Sequence, residues 1–159
     1  MSAQAETGCC PRFDVSNWDE KEWIWQERRF IKDRVISFFH IPLNFSKVII
    51  RNMQKMEKAG AQNPDNLMLS DENSLWSSDL YIATDKEVAD AHHATLNGTF
   101  LSKVFEGPYR DAPKWGKKFR QMLEKKGIAF NKIYFWYTTC PRCAKVYGKN
   151  YVVLFAKMI

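Results

Sequence analysis

One grammar is written twice along this chain, at an offset of 66 positions from His40 to Glu106. The first copy runs Arg34-Val35-Ile36-Ser37-Phe38-Phe39-His40, then Ile41-Pro42, an amphipathic stretch ending at Gly60, and Leu67-Met68-Leu69. The second runs Phe100-Leu101-Ser102-Lys103-Val104-Phe105-Glu106, then Gly107-Pro108, an amphipathic stretch ending at Gly127, and Ile133 to Tyr137. A further strand-like run closes each copy, Leu80 to Ala83 and Tyr151 to Phe155. Strand, Pro turn, helix, strand, strand is the unit. Two apolar helix stripes and strands that need covering predict an α+β fold: two strand–helix–strand–strand units related by a pseudo-twofold axis, forming a curved, mainly antiparallel sheet with its helices on one side. A crevice between two such halves is where a small ligand is expected.

The helices are bounded by local chemistry. Asn44 is placed to cap the first, because its side chain can accept an orphan amide hydrogen bond. Phe45, Val48, Ile49, Met53 and Met56 recur at helical spacing, and Gly60 supplies a left-handed stop. In the second, Asp111 is placed to cap, Pro113 falls in the first turn where no donor is lost, and Trp115, Phe119, Met122 and Leu123 form the stripe before Gly127. Ile133 to Thr139 and Tyr151 to Ala156 are apolar or aromatic on both faces, so both are expected to be central strands. Asp85 to Ala94 is polar and Ala-rich and reads as the connector between the halves.

At 159 residues, 45% hydrophobic and 26% charged, the chain has the make-up of a single globular domain. Residues 1–12 read as a flexible tail and 13–159 as the domain, with halves near 30–85 and 98–159. Trp23-Ile24-Trp25 reads as a short strand or packing arm. The first eight residues carry no basic and apolar leader, and no run reaches the ~20 apolar residues of a membrane span, so the expected compartment is the cytoplasm. The net charge of +6 gathers on Lys114, Lys117, Lys118, Arg120, Lys125 and Lys126 of the second helix. With acids interspersed elsewhere and no nucleic-acid motif, a solvated helix face explains it better than nucleic acid. Six Trp, six Tyr and eleven Phe exceed what many cores use. They fit a ligand-lined cleft as well as an aromatic core.

Lys103-Val104-Phe105-Glu106-Gly107-Pro108-Tyr109, entering a helix that carries Trp115, resembles the Gly-Pro-Tyr signature of the GyrI-like small-molecule-binding domains, the effector-binding modules of multidrug-sensing regulators. The resemblance covers about residues 30–159. It implies a stand-alone domain that binds a small aromatic or amphipathic organic molecule. It also implies an alternative, a hydrolase that opens small electrophilic compounds with a cleft carboxylate. The last strand departs from the family pattern, since Tyr151 to Ala156 carries no Glu.

Candidate site residues follow from the alignment of the two copies. Glu106 and His40 occupy equivalent strand ends; a carboxylate desolvated by aromatic walls suits a general base, and a nearby imidazole can share its proton. Tyr109, Trp115, Trp136, Tyr137 and Phe39 are the candidate ligand walls. Cys140-Pro141-Arg142-Cys143 forms a CxxC in a ten-residue link, and Cys10-Pro11-Arg12 echoes it. The pair reads as structural, as half of a zinc site completed by Cys10, or as a redox dithiol; Gly148 leaves little room for the helix a redox site wants. No cofactor is otherwise expected.

Overall fold

A computed structural model describes residues 13–38, 41–63, 65–72, 76–138 and 145–159, with only the backbone of Phe38, Ile41 and Pro42. The elements in order are β1 (Lys21–Phe38), β2 (Ile41–Pro42), α1 (Phe45–Ala59), β3 (Met68–Asp71), β4 (Ser77–Ala83), β5 (His92–Glu106), α2 (Ala112–Lys125), β6 (Phe130–Tyr137) and β7 (Tyr151–Met158). Short 3-10 turns cover Val15–Asn17 and Tyr109–Asp111. The fold is α+β, and the ladders within each unit are antiparallel. Among the described residues, no helix is long and apolar enough to cross a membrane.

The chain divides into two compact units, one built of Gln26–Asn97 and the other of Met1–Trp25 with Gly98–Ile159. The order strand, helix, strand, strand is met as β1-α1-β3-β4 and again as β5-α2-β6-β7. Both first strands are longer than their apolar runs. β1 begins at Lys21 and absorbs the Trp23-Ile24-Trp25 segment, and β5 begins at His92 inside the expected connector. Each carries a left-handed residue where it passes from unit to unit, Glu27 at φ 49° and Gly98 at φ 120°.

In the Gln26–Asn97 unit the strands lie in the order β2-β1-β4-β3. One face of these strands, with Ile31, Val35, Leu80 and Ile82, packs against Val48 and Met56 of α1. The expected stripe is corrected at one position: Met53 is exposed and Asn52 is buried in its place. Asn52 can be buried because its amide group is used. Its Nδ2 donates to Asp33 Oδ2 and to the Val48 carbonyl, both at 2.7 Å. Arg51 completes the cluster with Nε and Nη2 on the same carboxylate at 2.7 and 2.6 Å. Asn44 does not cap α1; its Oδ1 accepts the Ile36 amide at 2.7 Å, tying the helix entry to β1. Gly60 ends the helix at φ 65°, as expected.

Burial alone would raise the pKa of Asp33, but hydrogen bonds from Arg51, Asn52 and the Arg34 amide outweigh it, bringing the group from its ordinary 3.8 down to about 2. A depressed carboxyl stabilises the fold above the unfolded value, and the contribution disappears as pH falls through the folded one. Arg51 is half-exposed, so solvent screening leaves about 1 kcal/mol of the full shift. Urea melts should therefore lose about that much stability between pH 4 and pH 2 beyond what Asp33→Asn loses. Parallel curves for the two proteins would show that the cluster stores no such energy.

In the other unit β7 lies between β5 and β6, as expected of a strand apolar on both faces. Alternation along the strands sorts the side chains cleanly. Val152, Leu154, Ala156, Ile133 and Phe105 pack beneath Trp115, Phe119 and Leu123 of α2. Phe100, Tyr134, Trp136 and Phe155 face the other way and meet Trp18 and Trp25. Met122 is only half-buried, so the α2 stripe is narrower than expected. Asp111 makes no side-chain cap; it sits in the 3-10 turn that leads into the helix, and Pro113 is in the first turn. Residues 145–147 are helical, directly before Gly148 at φ 74°.

Candidate functional site

The turn Gly107-Pro108-Tyr109 is held from three sides. Gly107 has φ 147°, a conformation side chains rarely adopt, and a Cβ there would lie 2.9 Å from Trp115 Cζ2. Trp115 in turn stacks on Phe105, with ring centroids 5.9 Å apart and planes at 16°. The Gly107 amide donates to the Asn150 carbonyl at 3.1 Å, and Asn150 Nδ2 donates to the Gly107 carbonyl at 2.8 Å. The Asp111 amide donates to the Pro108 carbonyl at 3.0 Å and turns the chain into α2. Glycine is thus required twice over, by backbone angle and by the indole beneath it.

Beside this turn is an open hollow of about 480 Å³, lined by Glu106, Pro108, Tyr109, Lys145, Lys149 and Asn150 among others. Glu106 stands exposed at its rim, at the end of β5. Tyr109 is half-buried, with its ring 5.8 Å from that of Tyr137, which stacks on Phe135 at 6.3 Å. Asn150 also lines the hollow; its Oδ1 is buried, with no hydrogen-bond partner among the described residues.

The structure thus brings Glu106 and Tyr109 to one hollow, sets the Tyr137 ring against that of Tyr109, and seats Trp115 directly under the turn as core. Trp136 is on the opposite sheet face, buried among Trp18, Phe155 and Phe13. Glu106 is not enclosed by aromatic rings, so the burial expected around it is absent at this position. His40, Phe39, Cys10, Cys140 and Cys143 lie outside the described residues. Among the described residues, no three His, Cys, Asp or Glu side chains cluster as a metal site. Sequence reasoning missed Asn150 and Lys149, whose one signal was their position next to the final strand.

The sequence model of the family described as "Bacterial hydrolase" matches residues 1–158. The chain belongs to this family. No curated protein sequence matches it. Among solved structures, this family member is similar to a hydrolase from Listeria innocua, with TM-score 0.59 and 14% identity over 89% of this chain and 92% of that one. It is also similar to the EcmrR C-terminal domain, with TM-score 0.64 and 11% identity over 89% and 98% of the two chains. A third, an uncharacterized conserved protein from Listeria innocua, gives TM-score 0.60 and 13% identity over 89% and 92%. At such identities the likeness speaks for the fold.

Proposed function

We propose that the protein is a stand-alone GyrI-like domain that binds a small aromatic or amphipathic organic molecule in the hollow beside Gly107-Pro108-Tyr109. The half-buried Tyr109 ring, with the acceptor-bearing side chains of Glu106 and Asn150 lining the same hollow, carries this reading. Apolar area with a few placed polar groups is the composition of ligand sites in general. The fold likeness to the EcmrR C-terminal domain supports it.

The probe for this reading is 1-naphthol, which has an aromatic body and one hydroxyl donor. Saturable quenching of Trp fluorescence and a raised melting temperature are expected, since a ligand of the native state stabilises it by mass action. The methyl ether, lacking the donor, should bind about tenfold more weakly. Tyr109→Ala should weaken binding more than it lowers stability. Equal affinity for the alcohol and its ether, unchanged by Tyr109→Ala, would remove the hollow as the site.

A second reading, hydrolysis of small electrophilic compounds, is favoured by membership in the bacterial hydrolase family and by Glu106 at the rim. In it the Glu106 carboxylate takes a proton from water as the water oxygen attacks the electrophilic carbon; the strained ring C–O bond breaks, and the alkoxide so formed takes a proton from solvent, while Glu106 returns its own to solvent. Glu106→Gln should then keep binding and abolish turnover of a strained substrate such as an aryl epoxide. Turnover that survives the substitution would move the base elsewhere, with His40 next to test. The zinc alternative at Cys140, Cys143 and Cys10 predicts about one equivalent of metal in purified protein and destabilisation on chelation.

A further inference from the structure

Two lysines, Lys145 and Lys149, line the hollow beside Gly107-Pro108-Tyr109, and the one carboxylate among its lining residues belongs to Glu106. Both lysines belong to the segment that leads into β7, with Gly148 between them at φ 74°. That left-handed glycine turns the chain after the helical residues 145–147, and Lys149 comes back to the hollow that Lys145 already borders.

Other cations of the protein have an acid beside them. Lys103 lies 3.2 Å from Asp19, Lys32 is 3.8 Å from Asp79, and Arg51 is 2.6 Å from Asp33. Asp111, the acid of the neighbouring 3-10 turn, is 3.8 Å from Lys114 and does not line the hollow. Among the described residues neither Lys145 nor Lys149 has an ion-pair partner, although Glu106 borders the same hollow. Their charge is therefore unspent in a concave site whose other walls include the rings of Pro108 and Tyr109. A cation beside apolar surface attracts an anion more strongly than one surrounded by water. Glu106 reduces this field without cancelling it, as one charge against two.

We propose that the ligand of the hollow is an organic acid, an aromatic or amphipathic carboxylate whose flat body lies against Tyr109 and whose charge is held by Lys145 and Lys149. The assignment rests on the hollow being a ligand site and adds the chemical class of what it takes, whether the molecule is only bound or also turned over. A carboxylate has two oxygens and can accept from both ammonium groups at once, and the long lysine stems let each reach it. A volume of about 480 Å³ suits a molecule of that kind.

Three probes of one shape and different charge test this: 2-naphthoate, 2-naphthamide and the 2-naphthamidinium cation. Calorimetric titration should find the carboxylate bound about tenfold more tightly than the amide, and the cation weakest. The gap should close as salt rises from about 0.02 to 0.5 M. Lys145→Met with Lys149→Met should bring 2-naphthoate down to the affinity of the amide, whereas Lys145→Arg with Lys149→Arg should keep the preference. Both lysines are exposed, so these substitutions leave the core intact. Lys117→Met with Lys118→Met removes the same charge from exposed α2 positions outside the lining, and the preference should remain. Tyr109→Ala should weaken all three probes. An amide bound as tightly as the carboxylate, with both weakened by Tyr109→Ala, would overturn the organic-acid assignment and leave the hollow as the site. A preference that survives loss of Lys145 and Lys149, or disappears with Lys117 and Lys118, would overturn it as well. Failure of all three probes to bind would remove the hollow itself, and the assignment with it.

Discussion

Gly107→Ala should cost about 3 kcal/mol of folding stability, in spite of adding a single methyl group near the surface. Two penalties combine. A backbone at φ 147° is tolerated by glycine and strained for alanine, and the new Cβ would sit 2.9 Å from an indole carbon that is stacked on Phe105 and cannot retreat. The contributions are separable. In a Trp115→Leu background the steric part disappears, and the same substitution should cost only about 1 kcal/mol, the backbone share. Urea denaturation of the four proteins measures the difference. A Gly107→Ala protein within a few tenths of a kcal/mol of its parent would mean that the turn yields easily, and with it the fixed placing of Tyr109.

The second large effect lies on the other sheet face. Phe155→Ala should lose about 4 kcal/mol, near the top of the range for a buried ring. For a chain of this length that corresponds to a fall of about 12 °C in melting temperature. The reason is the number of rings that lean on it: Trp18, Trp25 and Trp136 all lie within 6.4 Å of its centroid. Removing it leaves a void that three large, rigid neighbours cannot fill without leaving their rotamers. A loss near 1 kcal/mol would instead show that the aromatic layer is loose.

What could be read from the residues alone, and what could not, divides by the range of the forces involved. Both helices were legible, because their stripes and the glycines at 60 and 127 are local signals. The Gly-Pro-Tyr turn was legible for the same reason: only glycine suits that backbone. The caps were misread, since Asn44 spends its oxygen on Ile36, a partner eight positions back that no helix rule anticipates. Asn52 and Met53 were exchanged in the stripe because the burial of Asn52 depends on Asp33, nineteen positions away on another element. The beginning of β1 was hidden by its charges. Trp23 and Trp25 point inward while Ile24 between them is 72% exposed, so an apolar residue on the outer face obscures the apolar-in, polar-out alternation. The aromatic layer about Trp18 was invisible altogether, as its rings come from β1, β6 and β7.

The division of the two long strands between units has a bearing on how the protein is made. Gln26–Asn97 is continuous, so a ribosome delivers that unit whole. The other opens with residues up to Trp25 and is completed by β7, whose Phe155 emerges 130 positions after its partner Trp25. At ordinary synthesis speeds the indoles of Trp18, Trp23 and Trp25 wait roughly ten seconds in water for the rings that will cover them. During that interval they are the stickiest part of the nascent chain. Chaperone dependence in cells should therefore track the first 25 residues, and moving them after β7 by circular permutation should shorten the exposure.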